Sequence, residues 1–255
     1  MRYTNNEAIA AFNAIEDAIK ETGVEVEEGT KVRLLANKIP EVYDKATNDF
    51  WDNYLNNYAN TMGLFAGYGW NDETFKPNKD IVITGFSPYI FYYSKIVDLS
   101  AKLKECNVAL KCGTASNLQS AFAYSAIISI PYIDLTTVTN YSTIFANASR
   151  LETIEGIKFA NNVVFSNTFS NCTSLKNITI DGTIEQNGFD MRNSTKLTAK
   201  SLYSIINALS ATTTGLSITL PTTAEANYNA NVPTGAPATW AELVATKGNW
   251  TIVYA

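Results

Sequence analysis

A degenerate repeat with a period near 23 residues runs through the middle of the chain and constrains its fold more than any other feature. Its clearest unit is the segment 169–180, and the segment 145–154 matches it position for position. The segment 191–197 continues the pattern, while the segments 122–130 and 91–99 fit it more loosely. The first residues of these units are 31, 23, 24 and 22 positions apart. A period in this range is typical of solenoid proteins, whose units bury their apolar faces against one another.

The regions on either side of the repeat have different patterns. Near the N-terminus, Phe12, Ile15 and Ile19 recur at helical spacing, which predicts helices that either form an intramolecular core or pack between chains. After the repeat, Thr198 is a predicted N-cap for a helix, and the alternating residues 216–220 predict a strand. We predict a polar loop over 222–237, then a short helix near Trp240 and a closing strand.

The chain contains no histidine and only 3 cysteines. Catalytic and metal sites that need a histidine side chain are therefore excluded. Without histidine there is no Ser-His-Asp or Cys-His nucleophile and no HExxH zinc site. No CxxC pair is present, so a structural zinc or iron–sulfur site is not expected. We therefore predict no catalytic residue, no metal ligand and no cofactor.

The charge and hydropathy patterns argue against two classes of partner. The 24 acidic and 19 basic residues give a net charge of −5, and no basic stripe is present, so we expect no nucleic-acid binding. No apolar run approaches the roughly 20 residues that span a bilayer, so we expect no membrane insertion. The first residues lack the pattern of a secretory leader, which indicates synthesis in the cytoplasm without export.

The unit F-x-N-C-T-S-L-x-x-I-T-I at residues 169–180 resembles the BspA-like leucine-rich repeat, a short bacterial variant found in surface proteins and prophage genes. The resemblance covers residues 85–200. The flanking segments 50–81 and 194–220 are similar to those beside such repeats in prophage tail-region proteins of the Firmicutes type. Such relatives are typically encoded among tail and baseplate genes and usually carry no assigned activity.

Together, the repeat and the resemblance predict an α+β fold in three parts. Residues 1–60 are a helical anchoring or oligomerisation segment. Residues 61–197 are a short, irregular, BspA-like leucine-rich-repeat solenoid. Residues 198–255 are an α/β cap that covers the end of the solenoid, since an open repeat core needs a terminal element.

Three pairs of carboxylates are the remaining candidates for catalysis: Asp72/Glu73, Glu152/Glu155 and Asp181/Glu185. A glycosidase needs two carboxylates across a cleft, whereas carboxylates in turns usually cap backbone amides or face solvent. We interpret these pairs as structural. Cys172 takes the place of a small residue in the other units, which indicates packing. Cys106 and Cys112 flank a predicted strand and fit either a disulfide or two free thiols, the latter being expected in the cytoplasm.

The outward positions of the repeat strands are the candidate recognition surface. In the strand 175–181 the apolar residues alternate inward, which leaves Asn177, Thr179 and Asp181 outside. The counterparts of these residues in neighbouring units are Ser129, Thr153 and Glu155. Two alternatives remain open: ordinary solvent-facing residues, or an aromatic contact surface within residues 54–70.

These patterns favour a non-enzymatic structural protein of a phage or prophage virion, associated with the tail, baseplate or fibre. Its repeat surface is expected to contact a host cell-surface glycan or protein, and its other partners are virion proteins. A homotrimer is expected by analogy with phage fibres. The protein is then made in the host cytoplasm and released in the virion. The alternative is a bacterial BspA-like surface adhesin, followed by a carbohydrate-active enzyme that uses carboxylates.

Overall fold

The computed structural model divides the chain into two compact units, Met1–Tyr58 and Ala59–Ala255. It describes residues 20–21, 65–67, 71–73, 75–161, 163 and 165–255. In the first unit, Lys20 and Glu21 are helical and exposed, and the other predicted helical residues up to 58 lie outside the described residues. Most of the aromatic segment 54–70 also lies outside them. The boundaries at 60/61 and 197/198 stay predictions.

Short strands and short helices make up the described part of the second unit. The strands are β1 (Ile81–Val82), β2 (Gly85–Phe86), β3 (Leu110–Lys111), β4 (Ala115–Asn117), β5 (Ser129–Ile130), β6 (Ile133–Asp134), β7 (Thr153–Lys158), β8 (Asn177–Asp181), β9 (Phe189–Asp190), β10 (Leu216–Leu220) and β11 (Trp250–Tyr254). The helices are α1 (Leu99–Glu105), α2 (Ala199–Ala208), α3 (Ala224–Ala230) and α4 (Trp240–Ala245).

These strands form four separate small sheets, and every strand pair among the described residues is parallel. β1 pairs with β3, and β2 pairs with β4. In the largest sheet, β7 pairs with β5, β6 and β8. The fourth sheet has three strands in the order β11-β10-β9.

The predicted fold class, α+β with a repeat solenoid, is wrong. Parallel pairing throughout, with helices between the strands, makes the described unit α/β. Many strands have only two residues, and register shifts at Gly85/Phe86 and Ile154/Ile157 interrupt the pairing. Because such short ladders end quickly, the described residues contain four small sheets and not one continuous sheet.

A column of stacked phenylalanines forms the centre of the core. Neighbouring rings lie 5.0 to 5.6 Å apart with interplanar angles of 10° to 24°, and each is at most 1% exposed. The members are Phe65, Phe91, Phe122, Phe145 and Phe169. Offset stacking at these separations is favourable for aromatic rings, and burying each side chain contributes about 2–3 kcal/mol. The column therefore supplies a large part of the apolar stabilisation of this region.

Each phenylalanine of the column from Phe91 onward begins a turn that ends on a small buried residue. The residues at this position are Ser94, Ser125, Ala148 and Cys172, and each is at most 5% exposed. The backbone amide of each donates to the carbonyl oxygen of the phenylalanine three positions earlier. The packing role predicted for Cys172 is confirmed, since this residue is fully buried.

Two residues, one two positions before each of these phenylalanines and one two positions after it, adopt left-handed backbone conformations. One position has φ between 51° and 62° and holds Tyr89, Ser120, Thr143 and Asn167. The other, just before the small buried residue, has φ between 55° and 59° and holds Tyr93, Tyr124, Asn147 and Asn171. Backbone amides at these turns donate to carbonyl oxygens of the next turn, which fixes neighbouring turns side by side.

The C-terminal residues follow the predicted pattern with one exception. Thr198 caps α2, since its hydroxyl accepts a hydrogen bond from the Ser201 amide at 3.3 Å. The strands β10 and β11 occupy the predicted strand regions. The loop predicted over 222–237 is wrong, because α3 lies within it. Tyr228 of that helix is fully buried, and its hydroxyl donates to the carbonyl oxygen of Pro237 at 2.7 Å.

Candidate recognition surface

A row of polar side chains crosses neighbouring strands at one level of the largest sheet. Ser129 of β5, Thr153 of β7 and Asn177 of β8 are direct partners in the parallel register. The Asn177 amide nitrogen lies 3.3 Å from the Thr153 hydroxyl, and the Thr198 hydroxyl lies 3.4 Å from the Asn177 oxygen. At the Ser129 end of the row, Asp98 forms an isolated parallel β-bridge with Ser129. At about 4.8 Å per strand, the three spacings from Asp98 to Asn177 give a row roughly 14 Å long.

The repeat alignment also places Glu155 beside Thr179, but a bulge in β7 interrupts this second pairing. Between the pairs Ile154–Ile178 and Ile157–Ile180, two residues of β7, Glu155 and Gly156, lie opposite the single residue Thr179 of β8. The bulge turns Glu155 toward α1, where its carboxylate accepts a hydrogen bond from the Lys104 ammonium at 2.5 Å. The Lys104 side chain is 69% exposed, so the ion pair contributes about 0–1 kcal/mol.

Asp181, at the end of β8, is bound by a tyrosine that the sequence analysis missed. The hydroxyl of Tyr132 donates to the Asp181 carboxylate at 2.8 Å, although the Tyr132 side chain is 45% exposed. This hydrogen bond, followed by desolvation and the charges of Asp181 and Asp134, raises the pKa of Tyr132 to about 12. Tyr132 therefore stays protonated and joins residues 49 positions apart.

Gly156 provides the space for the Tyr132 ring. A Cβ at position 156 would lie 2.6 Å from Cδ2 of Tyr132, which is closer than carbon atoms approach without repulsion. A glycine inside an apolar strand pattern is a signal for a bulge or for close backbone approach, and here it marks both. This signal in the segment 153–158 could have indicated the bulge from the sequence, but it does not identify Tyr132 as the side chain that packs there.

All six predicted recognition residues lie within the described part of the chain. The structure aligns Ser129, Thr153 and Asn177 in one row. Thr179 is an exposed residue of β8, the strand that also contains Asn177. The structure also joins Glu155 to Lys104 and Asp181 to Tyr132. We call these six residues with Tyr132 the strand face. Its row is mostly uncharged, and its two carboxylates have partners.

At least one carboxylate of each predicted pair has a structural partner. Asp72 accepts a hydrogen bond from the backbone amide of Val97 at 2.8 Å, as expected for a capping residue. Glu152 pairs with Lys176 at 2.9 Å, and this neighbouring cation holds the pKa of the Glu152 carboxyl below its usual range. Such contacts fix neighbouring strands and turns to each other and do not require a cleft.

Two surface cavities among the described residues are each lined by a single carboxylate. One, of about 310 Å³, contains Asp190, which is paired with Arg192 at 2.7 Å. The other, of about 350 Å³, contains Asp134 and the ring of Tyr132. Within the described ranges, no group of three or more acidic or cysteine side chains is placed to hold a metal ion.

All three cysteines are free thiols. Cys172 and Cys112 are buried, and Cys106 is partly accessible. Desolvation raises the pKa of the Cys112 thiol to about 12, with a smaller contribution from the charge of Asp134. A protonated, buried thiol is a poor nucleophile, so Cys112 acts as a packing residue beside the second cavity.

None of the helices in the described residues is both long and apolar enough to cross a membrane. Comparison with known proteins gave no match: no family model matches the sequence, no curated protein is significantly similar to it, and no solved structure matches its fold.

Proposed function

We propose that this chain is a non-enzymatic structural protein of a phage or prophage virion, associated with the tail, baseplate or fibre, and that its strand face contacts the host surface. The observation that supports the recognition role is the in-register row of Ser129, Thr153 and Asn177. A row of hydroxyl and amide groups on paired strands presents donors and acceptors at fixed spacing, which suits recognition of a glycan or a protein.

The carboxylates support a non-enzymatic role. Hydrolysis of a glycoside needs one carboxylate on each side of a cleft. Here Asp72 caps a backbone amide, Glu155 pairs with Lys104, and Asp181 accepts from Tyr132. These three carboxylates are therefore engaged in structural contacts, whereas catalysis would require them to face a substrate.

The virion assignment rests on the resemblance of the segment 169–180 and its flanks to prophage tail-region proteins. It implies other virion proteins as partners, assembly in the host cytoplasm, and a homotrimer. Light scattering on the full chain measures the mass directly, and a trimer has three times the 28.0 kDa of one chain.

Location is tested by mass spectrometry of particles purified from the source strain after prophage induction. Peptides of this chain are expected to co-purify with the tail proteins through a density gradient, while an abundant cytoplasmic protein serves as the control. Recovery in the cell envelope and not in particles would contradict the virion assignment and favour the BspA-like adhesin.

Recognition is tested with the triple variant Asn177→Ala, Thr179→Ala, Asp181→Ala, using fluorescently labelled protein and intact host cells. Binding is expected to weaken by about tenfold or more, which corresponds to the loss of two or three hydrogen bonds. The matched control removes the same three group types elsewhere, through the exposed residues Asn231, Thr234 and Glu225. Equal binding by both variants would refute the role of the strand face.

A further inference from the structure

Four tyrosines form an exposed aromatic cluster outside the strand face. The rings of Tyr93 and Tyr124 stack with centroids 4.9 Å apart and an interplanar angle of 20°. Tyr92 meets both of them edge-on, at 4.6 and 5.7 Å, and Tyr89 packs against Tyr92 at 5.3 Å. Tyr89, Tyr93 and Tyr124 remain 39%, 40% and 45% exposed. We call these four residues the tyrosine cluster.

The environment of Tyr92 differs from that of a free tyrosine side chain. Desolvation raises the pKa of Tyr92, and the neighbouring phenols of Tyr93, Tyr124 and Tyr89 raise it further. The cluster therefore combines apolar rings with phenol hydroxyl groups, and none of its four members is an acidic or basic residue.

The backbone conformation gives no reason for tyrosine at these positions. Tyr89, Tyr93 and Tyr124 have φ of 62°, 55° and 57°, a region in which a bulky side chain is strained and asparagine is tolerated far better. In the next two turns, Asn147 and Asn171 occupy the position of Tyr93 and Tyr124 with φ of 59° and 57°. Strained residues that persist are concentrated at functional sites.

Asparagines continue the tyrosine cluster at the equivalent positions of the following turns, and we call this line of residues the ridge. The amide nitrogen of Asn171 donates to the Asn147 oxygen at 2.8 Å, and the Asn193 oxygen accepts from the Asn171 backbone amide at 3.3 Å. The Tyr124 backbone amide donates to the carbonyl oxygen of Ala146, which joins the aromatic part of the ridge to the amide part. Asn193 also lines the cavity of about 310 Å³.

We propose that the tyrosine cluster and the adjoining column Asn147, Asn171 and Asn193 form a binding surface for a neutral oligosaccharide. The C–H faces of a pyranose ring are apolar and pack on aromatic rings, while its hydroxyl groups bind amides and phenols. Because the facing sides of Tyr93 and Tyr124 cover each other, a sugar can reach only their outer faces, edges and hydroxyl groups. The 4.9 Å centroid distance is comparable to the length of one sugar unit, so consecutive units can lie along consecutive turns. This surface shares no residue with the strand face, and the inference does not depend on the virion assignment.

The size and charge of the cluster favour a glycan over a protein partner. Its exposed aromatic area is roughly 300 Å², taking 150–250 Å² for a whole aromatic side chain. A stable protein interface covers about 800 Å² on each partner and carries charged residues at its rim. The tyrosine cluster contains no charged residue, and Asp190 and Arg192, which line the cavity together with Asn193, neutralise each other as an ion pair. Such a surface suits a neutral chain.

The test uses the full chain with chitohexaose, cellohexaose and maltohexaose in calorimetric titrations, and with a printed array of neutral bacterial oligosaccharides. We expect at least one of these probes to bind the wild-type protein. We expect the double variant Tyr93→Asn, Tyr124→Asn to bind the same probe at least about tenfold more weakly. The variant is expected to fold, because asparagine already occupies this backbone conformation at Asn147 and Asn171. Its thermal unfolding midpoint checks this directly.

The matched control is Tyr254→Asn, which removes a tyrosine of nearly the same exposure as Tyr124 (46% against 45%) from β11, outside both surfaces. A separate variant, Tyr132→Asn, probes the strand face. Unchanged oligosaccharide binding by the Tyr254→Asn control supports the proposal. No binding to any probe, or equal binding by the folded double variant, overturns it. Loss of binding only with Tyr132→Asn also overturns it and assigns the glycan to the strand face.

Discussion

Replacing Gly156 by alanine tests the contact between the β7 bulge and Tyr132. The new Cβ would lie 2.6 Å from the Tyr132 ring, so the ring must move away. This movement breaks the hydrogen bond to Asp181, which contributes about 1 kcal/mol at an exposed site, and loses the ring–backbone contact. Gly156 does not have a left-handed backbone, so alanine otherwise favours folding by about 0.4–1 kcal/mol.

The expected net effect of Gly156→Ala is a loss of about 1 kcal/mol in the free energy of unfolding. In a Tyr132→Ala background the same change is expected to stabilise by about 0.5 kcal/mol, because the steric conflict is absent. A double-mutant cycle by urea unfolding then gives a coupling of about 1.5 kcal/mol. Additive effects, or stabilisation of the wild-type protein by Gly156→Ala, would refute the reasoning.

The same change is expected to shift the titration of Tyr132. The pKa of Tyr132 is raised from 10.0 to about 12, mainly by the hydrogen bond to Asp181. Because the folded-state value exceeds the unfolded one, this stabilisation is present below pH 10 and lost as the pH rises toward about 12. NMR of ¹³C-labelled tyrosine is expected to show the pKa moving back toward 10.0 in Gly156→Ala and Asp181→Asn.

Three further predictions concern the core, a turn and a thiol. Phe145→Ala is expected to reduce the free energy of unfolding by about 3–5 kcal/mol in urea, since the ring is fully buried between two stacked neighbours; a loss below about 1 kcal/mol would contradict this. Gly188→Ala, with φ of 88° and a new Cβ 2.3 Å from the Phe165 carbonyl oxygen, should destabilise more than Gly215→Ala, which has φ of 74° and open space; equal effects would count against the contact. Cys106, the least buried thiol, should react first with a thiol reagent at pH 8, and peptide mapping that finds another cysteine modified first would disprove the assignment.

The period in the sequence predicts which residues of neighbouring units become neighbours in space. Aligning the segments 145–154 and 169–180 places Thr153 with Asn177, and these residues pair in the sheet. The same alignment identifies Cys172 as a buried small residue. Both predictions depend on local patterns that recur, which a single sequence contains.

The fold class depends on tertiary contacts that comparing the repeat units of the sequence with one another does not reveal. Whether short strands join into one sheet is decided by a few ladder hydrogen bonds, and the bulge at Glu155 and Gly156 interrupts them. The contact between Tyr132 and Asp181 spans 49 residues and follows from that bulge. The helix α3 forms because Tyr228 finds a buried site, which is a tertiary effect that local propensity does not predict.

The left-handed turn positions have a consequence for how such a chain can evolve. The side chain at Tyr124 or Asn147 points to the surface, whereas the residue that follows, Ser125 or Ala148, is buried and determines the packing. Tyrosine and asparagine already occupy equivalent positions with nearly the same φ. Mutations there can change the chemistry of the surface one turn at a time while the phenylalanine column is preserved. Replacing tyrosine by asparagine at such a position removes a ring from the surface and relieves backbone strain, whereas the reverse change adds a ring and adds strain.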